Sequence, residues 1–406
     1  MKEAFALAIG LMLTVEQRDA RRTLLDPSSV AVSADGRFVA FTTYSRLAPA
    51  DTDTISDLYV LDRHSQRVTL ESVHTGEDSG DVSYPGISGD GRYVVFERAQ
   101  RIFVRDRNDN VTRIVGEGRQ PVITSNGHLI VFTAESNGTA ADPDVNGERT
   151  DIYVAAVQSA GARRISTGMR ELDPAIAASV QPSVSSDGRF VAFASRAQRK
   201  GERPGVPQIF VRDLTLNVTR LVGGGWDPSI SGDGRFVAFT GMHQHLPHIF
   251  LADTETGTSR LITNSTRRGA ANGASGKPAI SADGRFVVFQ SEASDLVAAE
   301  DFNLLWDVFV FDRATGTTSR VSGDAEGVWM EPSSGPSIDA RGSVIAFSSR
   351  HPTDVLDKKN DFDLYVAIVG QSNTEGRRHA GARRIDFLGK HFKSQRQDAK
   401  TQRTSS

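Results

Sequence analysis

Hydrophobic and polar residues alternate in short runs along most of the chain, and the clearest runs follow a turn of the form Ser-x-Asp-Gly-Arg. The stretch SGDGRFVAF at 231–239 is typical. Alternation with a period of two predicts half-buried β-strands. The Asp-Gly pair predicts a type I′ hairpin between two such strands, because that turn needs positive φ at both central residues. We therefore expect the turn aspartates to be structural, not catalytic.

This stretch occurs seven times, in five close copies and two diverged ones, TSNGHLIVF at 124–132 and DARGSVIAF at 339–347. The first and last turn glycines, Gly36 and Gly342, are 306 residues apart over six steps, so the mean period is 51 residues. The seven turn glycines are Gly36, Gly91, Gly127, Gly188, Gly234, Gly284 and Gly342. A period near 50 with strand-type patterning is typical of a β-propeller.

Each unit contains four predicted strands, shown most clearly by the fourth unit at 182–185, 190–195, 208–214 and 217–223. The fold class is therefore all-β, a seven-bladed β-propeller with four antiparallel strands per blade. The first strand usually opens with proline, which is tolerated at a strand's first residue. The second strand places one phenylalanine at an equivalent position in every unit, and we expect these rings to pack between blades: Phe41, Phe96, Phe132, Phe193, Phe239, Phe289 and Phe347.

Three segments divide the chain. Residues 1–20 include an apolar run of 12 residues, the length of a signal-peptide core and too short for a membrane span; the alternative is a short packed helix or strand. Residues 21–386 form the predicted propeller, and residues 21–25 resemble an outer strand that would pair with the last blade and close the ring. Residues 387–406 lose all periodicity and read as a basic disordered tail. The apolar run favours a periplasmic or secreted location and leaves a cytoplasmic one open.

Composition narrows the chemistry. The net charge of −3 provides no nucleic-acid signal, and the absence of cysteine excludes disulfides, thiol catalysis and cysteine-ligated zinc. The motifs of a serine-hydrolase nucleophile elbow, a phosphate-binding loop and a zinc-protease helix are all missing. No catalytic or cofactor-binding residue is assigned.

Three connections between the second and third strands share an acidic spacing, Asp-x-Asp or Asp-x-Asn followed by an aspartate at the next strand. Such oxygen-rich loops suit a hard cation such as calcium. The alternative is that the side chains form Asx-turns and charged strand starts. The candidate metal ligands are Asp51, Asp53, Asp57, Asp144, Asn146, Asp151, Asp301, Asn303 and Asp307.

A histidine cluster provides a second metal hypothesis. His243, His245 and His248 lie within six residues, and two histidines at i and i+2 on a strand share a face that can bind a transition metal. The alternative is a compact loop with incidental histidines.

The repeat P-x-[IV]-S-x-D-G-R-[FY]-[VI]-[AV]-F followed by [DQ]-[IVL]-[YF]-V-x-D resembles that of TolB-type propellers, a branch of the WD-like β-propellers, over residues 21–386. This resemblance implies the fold and covers several functions, among them periplasmic scaffolds, propellers attached to peptidases, and lyases of pectin fragments. The chain differs from TolB in having seven repeats instead of six and only about 20 residues before the first repeat. We expect a monomeric, non-enzymatic scaffold that presents its variable loops to a protein or glycan. The alternative is a metal-dependent propeller lyase that uses the histidine cluster.

Overall fold

The computed structural model describes residues 9–10, 30–72, 80–135, 149–159, 161–167, 172–173, 178–199, 206–298, 304–323, 331–350, 363–369 and 380–381. Within these ranges the regular structure is all β, and the chain forms seven blades of antiparallel strands. The prediction of a seven-bladed propeller with four strands per blade is confirmed.

The strands follow one another blade by blade. Blade I contains β2 (Val30–Val32), β3 (Phe38–Thr43), β4 (Asp57–Asp62) and β5 (Arg67–Leu70). Blade II contains β6 (Val82–Ile87), β7 (Tyr93–Arg98), β8 (Arg101–Asp106) and β9 (Val111–Glu117). Blade III contains β10 (Arg119–Ile123), β11 (Leu129–Glu135), β12 (Thr150–Ala156) and β13 (Ala162–Arg164). Blade IV contains β15 (Ser179–Val184), β16 (Phe190–Ser195), β18 (Gln208–Asp213) and β19 (Val218–Gly224). A separate two-stranded pair is formed by β14 (Leu172–Asp173), which precedes β15, and β17 (Gln198–Arg199), which lies between β16 and β18.

Blade V contains β20 (Trp226–Ile230), β21 (Phe236–His243), β22 (Leu246–Asp253) and β23 (Thr258–Leu261). Blade VI contains β24 (Ser275–Ile280), β25 (Phe286–Ser291), β26 (Asp307–Asp312) and β27 (Thr317–Arg320). Blade VII contains β28 (Ser333–Ile338), β29 (Val344–Ser349) and β30 (Asp363–Val369). Two short segments, β1 (Ile9–Gly10) and β31 (Ala380–Gly381), both pair with β30.

The first strand of each blade is the innermost one. Each contacts the first strands of both neighbouring blades, and these contacts form a cycle that returns from β28 to β2. The prediction that proline opens this strand is wrong in detail. In blades II to VII the proline follows a left-handed residue or glycine at a register shift inside the strand, as Pro85 follows Tyr84 at φ 51°. A bulge removes the need for a ladder N–H, which is why proline is accepted there.

The recurring phenylalanines pack between blades, as predicted. In the described part of the chain there are seven clusters of buried side chains, and each joins one face of a blade to the next blade. Each phenylalanine stacks on the aromatic residue opposite it on the third strand of its own blade, as Phe239 does on Phe250 at 5.7 Å between ring centroids. The cluster that contains Phe41 joins blade VII to blade I.

The Asp-Gly turns differ from the predicted type I′. Only the glycine has positive φ, for example 70° at Gly36, whereas a type I′ turn needs it at the aspartate as well. The Gly36 N–H donates to the Ser33 carbonyl at 2.9 Å, and Asp35 accepts hydrogen bonds from Ser33 Oγ and the Arg37 N–H. The aspartate side chain therefore caps the turn from within. Its structural role is confirmed, although the turn type was wrong.

Ring closure by residues 21–25 stays a prediction, because those residues lie outside the described part of the chain. The outer edge of β30 carries β1 opposite Tyr365 and Val366, and β31 opposite Ile368 and Val369. The predicted tail at 387–406 also lies outside the described residues. Where the chain is described, no helix is long and apolar enough to span a membrane.

Candidate metal centre

The antiparallel blades sort the connections onto two opposite faces. We name the turn face after the connections between first and second and between third and fourth strands, such as 33–37 and 63–66. The loop face carries the connections between second and third strands and between blades, such as 44–56 and 262–274. Loop length varies much more on the loop face, which is where binding functions usually concentrate on a rigid scaffold.

Asp51, Asp53 and Asp57 meet on the loop face of blade I. One carboxylate oxygen of each lies within 4.8 Å of the others, close enough for all three to bind one metal ion. Asp51 and Asp53 belong to the connection between β3 and β4, and Asp57 is the first residue of β4. The structure therefore brings these three residues together, close enough that they could hold a metal ion. Their role as metal ligands stays a prediction.

Asp51 is the most unusual member because it is buried and incompletely hydrogen-bonded. The residue is 8 % exposed, and its Oδ2 accepts a 2.5 Å hydrogen bond from the Tyr59 hydroxyl. Among the described residues its Oδ1 has no hydrogen-bond partner. A buried carboxylate oxygen without a donor or a cation is costly.

Asp57 connects the acidic cluster to the junction between blades I and II. Its Oδ1 accepts a 2.5 Å hydrogen bond from Ser72 Oγ and lies 3.3 Å from Nη2 of Arg98, whose side chain is equally buried. Burial raises the pKa of Asp57, and the charges of Asp51 and Asp53 add to that effect, whereas the Ser72 bond and Arg98 lower it. A bound cation would favour the ionised form of Asp57.

The other two acidic loops are only partly visible. Asp144, Asn146, Asp301 and Asn303 lie outside the described residues. Asp151 and Asp307 repeat the position of Asp57, and each accepts a 2.6 Å hydrogen bond from a serine fifteen residues later, Ser166 and Ser322 respectively. Sequence reasoning missed these serines, although their common spacing was visible. The trailing aspartate of each loop thus has a structural role in anchoring strands.

The structure brings two of the three histidines together, His243 and His248, and leaves His245 exposed. His245 is exposed in a two-residue turn with Gln244, at φ 72° and 48°, so β21 ends at His243 and the two histidines do not share a strand face. His248 is buried, and its Nδ1 lies 3.0 Å from Thr263 Oγ1, the same fifteen-residue relation that Asp57 has with Ser72. The rings of His243 and His248 meet edge to face at 6.0 Å. Among the described residues these histidines do not belong to a group of three metal-ligating side chains, although the charge of Asp295 acts on His248.

The turn face has a repeated ion pair that sequence reasoning also missed. The arginine of the Asp-Gly-Arg turn pairs with the aspartate that ends the third strand, with closest N–O distances of 2.7–2.9 Å. The pairs are Arg37–Asp62, Arg92–Asp106, Arg189–Asp213, Arg235–Asp253 and Arg285–Asp312. The signal was present in the repeats, since units three and seven lack both the arginine and the aspartate.

Comparison with solved structures supports the fold. Oligogalacturonate lyase from Vibrio parahaemolyticus matches with a TM-score of 0.55 at 13 % identity, over 85 % of this chain and 90 % of that one. The β-propeller domain of the Trilobed protease from Pyrococcus furiosus matches with a TM-score of 0.55 at 11 % identity, over 84 % and 94 %. A putative TolB from Agrobacterium tumefaciens matches at 17 % identity over 75 % and 95 %, with a TM-score of 0.45.

At such identities the matches to the lyase and to the Trilobed protease domain show the β-propeller fold alone. No family model matches the sequence. No curated protein matches it either.

Proposed function

We propose that this chain is a non-enzymatic β-propeller scaffold, extracytoplasmic and monomeric, that presents its loop face to a protein or glycan partner. A calcium ion bound by Asp51, Asp53 and Asp57 orders the first-blade loop of that face. The propeller spans residues 21–386, between an apolar N-terminal segment at 1–20 and a basic tail at 387–406.

The observation that carries this proposal is the buried Asp51 Oδ1, which has no hydrogen-bond partner among the described residues. It lies in a cluster of three carboxylates that can reach one ion. Like charges at this distance repel unless a cation or hydrogen bonds compensate them. Tyr59 and Ser72 compensate one oxygen each on Asp51 and Asp57, which leaves Asp51 Oδ1 for a cation.

Calcium fits this donor set better than the other common cations. The ligands are all oxygens, which hard cations prefer, and the cluster belongs to a loop that can adjust its geometry, as calcium sites do. Magnesium demands near-octahedral geometry and keeps most of its water. Copper, nickel and zinc favour imidazole or sulfur ligands, and neither is present in the cluster.

Thermal unfolding tests the metal site. Extracellular calcium modules bind at about 10⁻⁴–10⁻³ M, so 1 mM calcium should stabilise the fold by about 0.4–1.4 kcal/mol relative to EDTA. The shift should disappear in Asp51→Asn combined with Asp53→Asn. It should persist in Glu255→Gln, which removes an exposed acid from the turn face. A wild-type protein that melts identically in calcium and EDTA would refute the site.

The scaffold proposal is tested by binding. The purified protein would be immobilised and probed with a glycan array and a cell-envelope extract, in calcium and in EDTA. We expect calcium-dependent binding that the Asp51→Asn, Asp53→Asn variant loses and Glu255→Gln retains. Turnover of an oligosaccharide on the array, detected as released product, would contradict a non-enzymatic scaffold.

A further inference from the structure

Five of the seven blade junctions on the turn face share a packing motif, and two lack it. At five of the seven junctions, an aromatic ring from the second strand lies directly under the turn glycine of the next blade. The pairs are Phe38–Gly91, Tyr93–Gly127, Phe190–Gly234, Phe236–Gly284 and Phe286–Gly342. The turn arginine of the same blade lies 4.6–5.0 Å from each ring and also forms the ion pair described above. Ring, guanidinium and carboxylate therefore fill each of these junctions together.

Blade III departs from the motif at all three positions. Leu129 replaces the aromatic ring under Gly188, His128 replaces the arginine, and Ala156 replaces the aspartate. The same triple replacement occurs in blade VII, but there Arg63 of blade I is present: it donates to the Gly36 carbonyl of its own blade, and the charge of Asp339 in blade VII acts on its guanidinium. Arg107 and Arg313, at the positions equivalent to Arg63, lie over the rings of Phe38 and Phe236.

At the junction of blades III and IV, the residue equivalent to Arg63 is Leu214, which supplies no guanidinium. The result is a groove of about 720 Å³ on the turn face. Leu129, Val154 and Leu214 provide its apolar lining, and Arg163 and Arg189 its cationic lining. This volume is within the range of ligand pockets.

The charge around the groove selects the kind of occupant. Arg163 has no ion-pair partner among the described residues, and its charge adds to the effect of burial in lowering the pKa of nearby Arg212. Asp187, the acidic lining residue, accepts hydrogen bonds from Ser185 Oγ and the Arg189 N–H, and the Arg189 guanidinium is paired with Asp213, so Arg163 is the lining cation that a partner's acid would meet. A guanidinium of a partner would be repelled here, whereas an uncharged ring beside acidic residues would be attracted.

We propose that this groove binds an aromatic side chain flanked by acidic residues on an extended segment of a partner protein. The ring lies on Leu129 and Leu214, in the space that turn-face guanidinium groups occupy in other blades. The acidic flank pairs with Arg163. This site is on the face opposite the proposed metal centre and is independent of it.

Fluorescence anisotropy on the full chain tests the proposal. The probe is a labelled peptide, Gly-Asp-Glu-Phe-Glu-Asp-Gly, and the comparison peptides carry alanine for phenylalanine or lysine for every acid. We expect the probe to bind with a Kd below about 1 mM and both comparison peptides to bind at least about tenfold more weakly.

Variants of the chain locate the site. His128→Arg with Leu129→Phe and Ala156→Asp restores the motif, so it should fill the groove and abolish binding. Leu214→Arg should do the same by placing a guanidinium where Arg107 and Arg313 place theirs, and it covers the case in which the triple variant fails to fold. Arg163→Glu should weaken binding about tenfold. Arg220→Glu, at the equivalent outer-strand position of blade IV, should change it less than about twofold.

Three results would overturn the proposal. The first is no probe binding at 1 mM. The second is equal binding of the alanine peptide, which would show attraction by charge alone. The third is unchanged binding in a folded Leu214→Arg or triple variant. That result would show that the peptide binds elsewhere and that the groove is only a blade junction whose packing motif is incomplete.

Discussion

The turn face and the loop face of this propeller differ in how their aspartates are satisfied. On the turn face, Asp106 accepts hydrogen bonds from the Arg92 guanidinium and from the Asn108 and Asp109 N–H groups. On the loop face, Asp51 has one buried oxygen without a partner among the described residues. The turn-face partners recur with the motif. On the loop face the aspartates that begin the third strands also have a recurring serine partner, whereas Asp51 lies within a loop of variable length.

The largest expected effect comes from the core that supports both faces. Phe239→Ala should destabilise the protein by about 3–5 kcal/mol, because the ring is buried between blades IV and V and leaves a cavity. Urea denaturation followed by circular dichroism would measure this effect. Leu216→Ala, which truncates a 58 % exposed side chain on the turn face, should stay within about 0.5 kcal/mol. A loss below about 1 kcal/mol for Phe239→Ala would contradict the inter-blade role.

The next largest effect is expected for the hydrogen bond between Tyr59 and Asp51 on the loop face. Tyr59→Phe removes the donor to Asp51 Oδ2 and an acceptor for the Leu47 N–H, which should cost about 1–3 kcal/mol in EDTA. Part of that loss should be recovered in calcium, because a bound cation would compensate the charge of the Asp51 carboxylate in place of the lost hydrogen bond. The comparison variant is Tyr84→Phe on an inner strand. An equal loss in calcium and in EDTA would separate Tyr59 from the proposed metal centre.

A smaller effect is expected for one turn-face ion pair. Asp253→Asn should cost about 1 kcal/mol, because the Arg235 partner is 41 % exposed and water screens the pair. A double-mutant cycle with Arg235→Met would isolate the coupling between the two side chains. Equivalent coupling should be absent between His128 and Ala156 of blade III. A coupling energy of zero in blade V would show that the repeated pair contributes geometry without stability.

A pH dependence of opposite sign is expected on the two faces. Hydrogen bonds from Arg92 lower the pKa of Asp106 to about 2, so its contribution is complete above the unfolded value near 4 and is lost as pH falls from about 4 to 2. Burial raises the pKa of Asp57, so its ionisation reduces stability as pH rises from about 4 to that raised value.

NMR titration of the carboxyl carbons would measure both groups. Calcium should lower the pKa of Asp57 and leave that of Asp106 unchanged. Asp106→Asn should lessen the acid destabilisation between pH 4 and 2. A calcium-dependent pKa change at Asp106, or no such change at Asp57, would contradict the placement of the calcium site on the loop face.

The repeat pattern in the sequence was sufficient to predict most of the fold. The spacing of glycines such as Gly36 and Gly342 and the alternation around Phe239 predicted seven blades of four strands, because both features depend on local strand and turn chemistry. The type I′ turn was wrong because the serine and aspartate side chains of the turn bond to its backbone, which stabilises a different conformation. Local spacing did not reveal those bonds, although every participating residue was visible.

The sequence alone determined the blade number, the core phenylalanines and the grouping of Asp51, Asp53 and Asp57, since these are set by short-range periodicity and by spacing within one loop. Only the tertiary structure decided that Asp51 has an unsatisfied buried oxygen and that His248 is an anchor for its strand. It also decided that three modest departures in unit three open a groove against blade IV. Burial and hydrogen-bond satisfaction depend on groups from distant strands and neighbouring blades. A local sequence pattern does not show which of these groups will contact a given residue.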